Sequence, residues 1–550
     1  MDLPLGIKPL SFEAEGWTFT NAHANFRQKL KKGSSFELTV SDPEFKATYT
    51  TFKDRYNKTT ENIQWLIQYA IDHQIRLRAM GSGWSFSKVA VCEDGIINTK
   101  KLRLKAQLAA SQLAPAYLDQ GGDPTNLLFA QCGNSIIEVN DLLEKERQPA
   151  KSLRASGGSN GQTIVGAFST GTHGAAFKFG PLANFIVGMH LIVGPDRHVW
   201  LERASYPVTS PAFHDWIRAE VIRDDELFHS ALVSFGSFGF IHSVLLEVEP
   251  VFLLEQEFKT IPYDEALETM ILTGDFSAIA PRLKYPLPQI NDTLYHLELA
   301  INPHHFKKGD PDQGAYLRVM YKQPYRTDYV PFKPETEGYT YGDDVLGLMQ
   351  TILDKIEVLP GKLEVKLIPK LVNSLFKLAY DRPATAMGTV GETFRNTIFR
   401  GKLFSAGFAF DRKDIPQLID LILAINHQRP FAGVMAMRFV KGTLATLGFT
   451  RFDNTCVLEL DGADTKSNHE FVRLLAETVE AQEIPYAVHW GKITTMLTPE
   501  RVRKMYGDQA VDRWLRHRAQ LLSEPVRKVF MNGFLETCGL DQTPSEPIHT

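Results

Sequence analysis

Two glycine-rich runs in the first half of the chain, and one His-Trp-Gly-Lys tetrapeptide near its end, hold the residue types with which this sequence could do chemistry. The first run is RLRAMGSGWSFS, Arg76 to Ser87. Gly81 and Gly83 accept positive φ and let another group come close to the backbone. The N–H groups of Gly81, Ser82, Gly83 and Trp84 can form a nest around an anionic pyrophosphate. The second run is SGGSNGQTIVGAFSTGTHGAA, Ser156 to Ala176. There Gly171 and Gly174 open the backbone to a ligand, while Thr170, Thr172 and His173 offer side-chain donors. Neither run is a G-x-G-x-x-G fingerprint, and no Gly-Lys-Ser/Thr follows the first, so it is no Walker loop. Together they point to a cradle for a phosphate-bearing cofactor. Taken singly, each is equally a tight turn, and His173 equally a side chain that bonds its own loop. In HWGK, His489 to Lys492, a cation stands beside an imidazole; packing of the His-Trp pair is the plain alternative.

The elements that must position these residues follow from periodicity. TTENIQWLIQYAIDHQI, Thr59 to Ile75, predicts an amphipathic helix capped by Thr59 or Thr60, with Ile63, Leu66, Ile67, Ala70 and Ile71 on one face. A strand then enters the first glycine loop. GIINTKKL reads as a strand, and LLFAQCGNSIIEVNDLLEKE as a strand, a Gly-Asn turn and a helix. NFIVGMHLIVGPDRHVWLERA reads as a hairpin across a Pro-Asp turn. A helix over Asp224 to Val233, a turn at Gly236 and Gly239 and a long strand from Ile241 follow. Pro250 marks a boundary. Residues 1 to about 45 read as an extended lead-in. Beyond 250, aromatic strands such as TLYHLELAINPHHF and AYLRVMYKQPY alternate with Pro-rich loops, an exposed loop is expected near YVPFKPETEGYTYGDD, and helices are expected over 345–380 and 413–427. TPERVRKMYGDQAVDRWLRHRAQL reads as a final helix followed by a short coil. The fold class is α+β.

The totals set bounds. A chain of 550 residues has room for two or more domains. A net charge of −4 provides no basic field, so nucleic acid is not an expected partner. Cys92, Cys132, Cys456 and Cys538 are too scattered for a disulfide framework or a metal site, and free thiols are expected. No apolar run reaches the roughly 18 residues of a spanning helix. The N-terminus lacks a basic region followed by an apolar core, so no secretory signal is read there and a cytoplasmic location is the expectation.

The order of RAMGSGWSF, GGSNGQTIVGAFSTGTHG, LVSFGSFGFIHSVLLEV and HWGK resembles flavoproteins of the vanillyl-alcohol-oxidase type, in the branch of aldonolactone oxidases, alditol oxidases and class II cholesterol oxidases. The likeness is strongest over roughly 50–250 and returns near the C-terminus. It implies a two-part FAD-binding domain (1–250, glycine loops at 79–87 and 156–176), an α+β substrate or cap domain with a large antiparallel sheet (251–480), and a C-terminal segment (481–550) that returns to the FAD domain with HWGK. It implies FAD contacts from Ala79, Gly81, Ser82, Gly83, Trp84 and Ser85. In the second run it implies them from Ser156, Gly157, Gly161, Thr163, Gly166, Ala167, Thr170, Gly171, Thr172, His173 and Gly174, and beyond it from Ile241.

The resemblance also assigns chemistry. Relatives often carry, where Trp84 stands, a histidine bonded covalently to the flavin. Trp has no nucleophilic nitrogen, so FAD is expected without a covalent link and as a weaker oxidant. Lys492 would stabilise negative charge at the N1/C2=O edge of a reduced flavin, and His489 would orient substrate or cofactor. A Glu-x-Arg strand binds substrate in sugar-oxidising relatives. MAMRFV matches its arginine at Arg438 but has Ala436 at the glutamate. That departure, with Phe431, Met435, Met437 and Phe439 nearby, favours a less polar alcohol. The base that takes the hydroxyl proton is not identified, His296, His304 and His305 being weaker choices. Ala155 is the best match to a residue that gates oxygen.

The expected activity is oxidation of an alcohol carbon to a carbonyl by hydride transfer to FAD, with oxygen or another acceptor taking the electrons. No metal is expected. A biosynthetic flavoenzyme acting on a hydrophobic natural product and a flavin-fold protein without turnover are the alternatives.

Overall fold

The computed structural model describes residues 3–11, 17–330, 368–374, 376, 385–395 and 403–542. The expected loop near YVPFKPETEGYTYGDD and most of the helix expected over 345–380 lie outside the described residues.

The first hundred residues build β1 (Ile7–Pro9), β2 (Thr18–Thr20), β3 (Arg27–Lys29), β4 (Phe36–Thr39), β5 (Arg78–Met80) and β6 (Ile96–Lys101). They form a sheet in the order β1-β4-β6-β5, with β4 and β5 each parallel to β6, and a separate β2–β3 ribbon. The expected lead-in is therefore half a sheet. Its extended residues Ile7, Phe36 and Leu38 are buried, so the segment stays where its apolar side chains find a core.

The helix placed at Thr59 to Ile75 begins earlier and runs over Phe52–Asp72, because Thr51 caps it: its Oγ1 accepts from Asp54 N at 3.1 Å. Thr59 sits mid-helix and donates its hydroxyl back to the carbonyl of Tyr56 at 2.8 Å. The predicted apolar face is buried at Ile63, Leu66, Ile67 and Ala70.

The second sheet holds β7 (Lys105–Ala106), β8 (Leu127–Gln131), β9 (Lys151–Leu153), β10 (Ile186–Ile192), β11 (His198–Glu202), β12 (Glu220–Arg223) and β13 (Phe240–Pro250). Its order is β12-β11-β10-β13-β8-β7, with β9 on β13. The predicted hairpin is the β10–β11 pair. Between this sheet and the Phe52–Asp72 helix lies a polar core. Tyr56 Oη bonds His190 Nδ1 at 2.6 Å, His190 Nε2 bonds His198 Nδ1 at 2.8 Å, and Gln131 Nε2 bonds His242 Nε2 at 2.8 Å.

After Pro250 the chain starts a new sheet within two residues. It contains β14 (Phe252–Ile261), β15 (Leu294–Ile301), β16 (Ala315–Pro324), β17 (Thr385–Gly388), β18 (Leu403–Asp411), β19 (Gly433–Lys441), β20 (Asn454–Ala463) and β21 (Tyr486–Val488). Its neighbours, in the order β17-β14-β16-β15-β19-β20-β18-β21, are all antiparallel. Side chains alternate across such strands. Arg318 therefore stands opposite Glu298, Glu298 opposite Arg438, Ala436 opposite Glu459, and Asp461 opposite Ser405. The helix expected over 413–427 is observed at Ile415–Gln428 and packs beside Lys466–Ala481.

The C-terminal stretch is not one helix and a coil. Gly507, at φ 79°, separates Pro499–Tyr506 from Asp508–Leu521, and two further helices, Glu524–Val529 and Gly533–Thr537, follow. This segment closes on the back of the first glycine loop. Leu77 N donates to Val529 O at 2.8 Å, and Asn532 Nδ2 donates to Val89 O and Val91 O. Arg78 is buried and donates to the carbonyls of Phe530 (2.6 Å), Val89 (2.9 Å), Gly236 (3.1 Å) and Phe235. Burial lowers the Arg78 guanidinium to about 10. The four cysteines are free and buried. Among the described residues no helix is long and apolar enough to cross a membrane.

The polar core makes stability depend on acid. Burial, aided by neighbouring imidazoles, holds His190 well below and His242 at about 3, against an ordinary value near 6.5. The unfolded chain takes up these protons first, so stability is complete above pH ~6.5 and falls as pH drops towards the folded values. Each such histidine contributes a loss of about 1.4 kcal/mol per pH unit across that window. Urea unfolding at stepped pH checks this. The slope between pH ~6 and ~4.5 becomes shallower in His242→Asn.

Candidate functional site

The two glycine runs meet because glycine lets them interlock. A Cβ on Gly81 would lie 2.1 Å from Thr163 Oγ1, and one on Gly161 would lie 2.1 Å from Trp84 Cζ3. The second run is not all loop, since Ile164–Ser169 forms a short helix that carries Thr163 and Gly166 to the first loop. The turn at Gly236 and Gly239, at φ 70° and 87°, closes the third side. HWGK is clasped to the first loop: Phe86 N donates to Gly491 O at 2.8 Å, and Ser87 Oγ to Trp490 O at 2.7 Å. Trp490 is a packing residue, stacked on Tyr506 with its indole N–H on Leu447 O.

These segments line one cleft, partly open to solvent, with a cavity volume of about 200 Å³. From the first run, Ala79, Gly81, Ser82, Gly83, Trp84 and Ser85 line it. From the second, Thr163, Gly166, Thr170, Thr172 and His173 do so, joined by Ile241, Arg438, His489 and Lys492. The other six residues singled out by resemblance stand behind this lining. Ser156 donates to Asn160 Oδ1 at 2.6 Å, and a Cβ on Gly157 or Gly174 would meet Thr172 or the Ser156 carbonyl. Gly161 supports Trp84, Ala167 is in the core, and Gly171, at φ 81°, packs on Phe449. Ala155, matched to an oxygen gate, does not line the cleft. It is buried with Phe185, Phe252 and Tyr295.

The lining suits an anionic dinucleotide. Among the described residues, the amides of Ser82 and Gly83 donate no hydrogen bond within the chain, so both remain for a pyrophosphate. With the Gln162 amide turned to the orientation that satisfies both of its ends, its oxygen accepts from Trp84 Nε1 at 2.9 Å. His23, from the lead-in, stands edge-on to Trp84 at 5.4 Å between ring centroids and stacks on Phe86 at 4.1 Å. Burial lowers it to about 3. No local pattern marked His23, since about 60 residues separate it from the loop it joins.

The same cleft is lined by a cluster of charges that sequence reasoning saw only in part. Glu459 Oε1 faces Arg438 Nη1 at 3.2 Å and His173 Nε2 at 3.4 Å, and its Oε2 is held by Lys492 Nζ. Arg438 Nε also bonds Glu298 Oε2 at 3.1 Å. Asp461 Oδ1 accepts from Ser405 Oγ and lies 3.9 Å from Lys492 Nζ. Gly407, opposite Glu459, leaves room for the lysine: a Cβ there would lie 3.4 Å from Lys492 Cδ. Burial alone would raise the Glu459 carboxyl, but Lys492 and Arg438 overcome it and hold the group near 2. Asp461 moves the other way. Burial raises it above the ordinary range, Lys492 offsets this only in part, and Glu459 adds to the rise. Burial takes His173 to about 4 in spite of Glu459, and holds His489 well below its usual value. Both are neutral imidazoles, and His489 Nδ1 accepts from Gly491 N at 3.0 Å.

This corrects the reading of Ala436. The strand lacks a glutamate there, but carboxylates reach Arg438 from both neighbouring strands, Glu298 on β15 and Glu459 on β20. The apolar residues taken as signs of a less polar substrate, Phe431, Met435, Met437 and Phe439, are buried in the main core and do not line the cleft. The three strand residues alternate with Arg438 and point to the opposite face. His296 lies behind Arg438, 3.4 Å from Glu298, His304 bonds the carbonyl of Phe431, and His305 is exposed. A signal for Glu459 and Asp461 was present in LELDGA, where two acids alternate with leucines in an otherwise apolar strand.

No protein-family model matches the chain. Among curated proteins it is similar to L-gulonolactone oxidase 3 of Arabidopsis thaliana, 25% identical over 219 residues (37% of this chain, 33% of that protein). It is similar to D-arabinono-1,4-lactone oxidase of Candida glabrata, 23% identical over 189 residues (34% and 30%). L-gulono-1,4-lactone dehydrogenase of Mycobacterium tuberculosis is 27% identical over 195 residues (36% and 37%). The matches span about a third of these relatives. Among solved structures, cholesterol oxidase from B. sterolicum superposes with a TM-score of 0.67 at 15% identity, covering 98% of both chains. A solvent-stable cholesterol oxidase gives 0.60 at 15% identity, covering 97% of this chain and 100% of its own. The fold is that of these cholesterol oxidases. In sequence the chain resembles the lactone oxidases and dehydrogenases.

The interlock of Gly161 and Trp84 can be tested. Gly161→Ala drives a methyl group into the indole, and overpacking of this kind costs about 1–3 kcal/mol. The expected outcome is a lowered melting temperature together with a reduced flavin-to-protein absorbance ratio in the purified variant.

Proposed function

We propose that the chain is an FAD-dependent oxidoreductase that oxidises an alcohol carbon to a carbonyl, with oxygen or another acceptor taking the electrons. The observation that carries this reading is the convergence, in one cleft, of unspent loop amides and the Arg438–Glu459–Lys492 cluster. Ser82, Gly83, Thr170 and Thr172 would hold the cofactor, with Trp84 and Ile241 as apolar walls. FAD, when bound, supplies a two-electron acceptor for a carbinol hydrogen. Arg438 and Lys492 supply positive charge where negative charge develops, in a site from which burial excludes water. Glu459 keeps the two cations from repelling each other and fixes where they point. The wall at this cluster is polar, so the alcohol carbon is presented among ionised groups whatever the rest of the substrate is.

We further infer that FAD is bound without a covalent link, because Trp84 has no nucleophilic nitrogen at the position where relatives carry a tethering histidine. Acid precipitation tests this: the yellow colour is expected in the supernatant. A coloured pellet overturns it and directs attention to His23, the histidine beside Trp84.

Anaerobic mixing with a panel of lactones, polyols, sterols and aryl alcohols tests the activity, the expected outcome being bleaching of the flavin by at least one. In Lys492→Met the reduction is expected to slow about 10²-fold or more while FAD stays bound. Unchanged reduction would remove Lys492 from the chemistry.

A further inference from the structure

Glu459 and Asp461 stand two residues apart on β20, face the same side of the sheet, and both line the cleft. Their surroundings divide them. Both oxygens of Glu459 are engaged, Oε1 by Arg438 and Oε2 by Lys492. Asp461 is engaged on one side only, where Oδ1 takes the Ser405 hydroxyl. Among the described residues no donor bonds its Oδ2. Lys492, the nearest cation, is 3.9 Å from Oδ1 and is committed to Glu459.

A group that takes a proton from a hydroxyl needs a free lone pair within reach of the substrate and a basicity not exhausted by fixed cations. Glu459 fails on both counts. Glu298 does not line the cleft, being screened from it by Arg438. His489 accepts the Gly491 amide at Nδ1, so as a neutral imidazole it carries its proton on Nε2 and has no lone pair for the cavity, and His173 turns Nε2 to Glu459 Oε1 at 3.4 Å rather than to the substrate. Asp461 alone among these presents an uncommitted carboxylate oxygen to the cavity. Where two carboxylates in one site are pushed apart by their environments, one is the fixed charge and the other carries the proton.

We propose that Asp461 is the catalytic base of this site, its Oδ2 accepting the proton of the substrate hydroxyl while Ser405 holds Oδ1. The inference rests on the alcohol-oxidising reading above. In the step, the O–H bond breaks and its proton goes to Oδ2. The carbon–oxygen double bond forms as the carbon gives up its hydrogen with both bonding electrons to the two-electron acceptor, FAD. The alcohol is oxidised to a carbonyl, FAD when bound would supply the place for the hydrogen and its two electrons, and the carboxylic acid returns its proton to solvent before the next turnover. Lys492 and Arg438 face the same space and stabilise the oxygen while it is negative. Burial and Glu459 raise the basicity of Asp461 against the opposing pull of Lys492, Ser405 and Arg438.

The test uses the FAD-loaded protein, mixed anaerobically with L-gulono-1,4-lactone, glycerol, benzyl alcohol and cholesterol as probes. With whichever probe reduces the wild type, Asp461→Asn is expected to lose about 10²–10⁴-fold in the rate of flavin reduction. Its FAD content and photoreduction stay unchanged, and the acidic limb of the wild-type pH profile disappears. Infrared titration adds a readout that needs no turnover: a carboxyl group protonating above the ordinary aspartate range is expected in the wild type and absent from Asp461→Asn. Should that variant lose its cofactor, Ser405→Ala carries the test, and removal of the hydroxyl donor is expected to shift the acidic limb upward. Reduction in Asp461→Asn within about threefold of wild type, with the limb intact, overturns the assignment and leaves the alcohol reading standing. A limb unmoved in Ser405→Ala, or the infrared band surviving in Asp461→Asn, also overturns it. If no probe reduces the wild type, the alcohol reading fails and the base falls with it.

Discussion

The site depends on one buried carboxylate. Glu459 is 1% exposed and is met by two cations and a neutral imidazole, each from a different part of the chain: Arg438 from the adjacent strand, Lys492 from the C-terminal return, and His173 from the second glycine run. An ion removed from water costs several kcal/mol unless its partners are in place, and removal of one partner from a buried pair costs about 3–5 kcal/mol. The carboxylate therefore requires the glycine-run half, the large sheet and the HWGK segment to close together. The same closure brings the two cations to the cleft. Gly407 is part of this constraint, since a side chain there would crowd the lysine stem and the carboxylate it serves.

The back of the first glycine loop is governed by a cation without an acid. Among the described residues Arg78 meets four carbonyls and no carboxylate. It joins the strand before the first glycine loop to the Phe235–Gly236 turn and to Phe530 near the C-terminus. Its positive charge sits directly behind the lining residues Val89, Phe235 and Gly236. A guanidinium presents five donors in a rigid fork, and no other side chain could satisfy this many carbonyls from one position. The first glycine loop is thus fixed from behind by Arg78, from above by Gly491 and Trp490, and from the side by Thr163. The unused amides of Ser82 and Gly83 are what remains exposed to the cavity.

Much of the frame was legible in local pattern. The Ile186–Ile192 and His198–Glu202 hairpin, the helix capped by Asp224 and the break at Pro250 follow from turn residues and periodicity, which act over a few residues. Boundaries were lost where a cap competed. Thr51, not Thr59, starts the long helix, since a threonine inside a helix can return its hydroxyl to the backbone while one at the end satisfies a free amide. The lead-in was misread for a related reason. Short strands with little alternation are stabilised by the strand they pair with, and β4 finds its partner, β6, some 60 residues away.

By itself the sequence determined the cradle: glycines at 81, 83, 161 and 171 impose close approach or positive φ whatever surrounds them, and their order carried the family resemblance. It also determined that Arg438 and Lys492 would be present as permanent or near-permanent cations. Only the tertiary structure decided what those cations meet. Ala436 read as a missing carboxylate because a strand shows its own residues but not its neighbours. Antiparallel register across β15, β19 and β20 places Glu298 and Glu459 beside Arg438 from 140 and 21 residues away. The difference between Glu459 as fixed anion and Asp461 with an open oxygen is likewise invisible in LELDGA. The two acids are alike as residues. They differ only in how many donors the folded chain turns towards each.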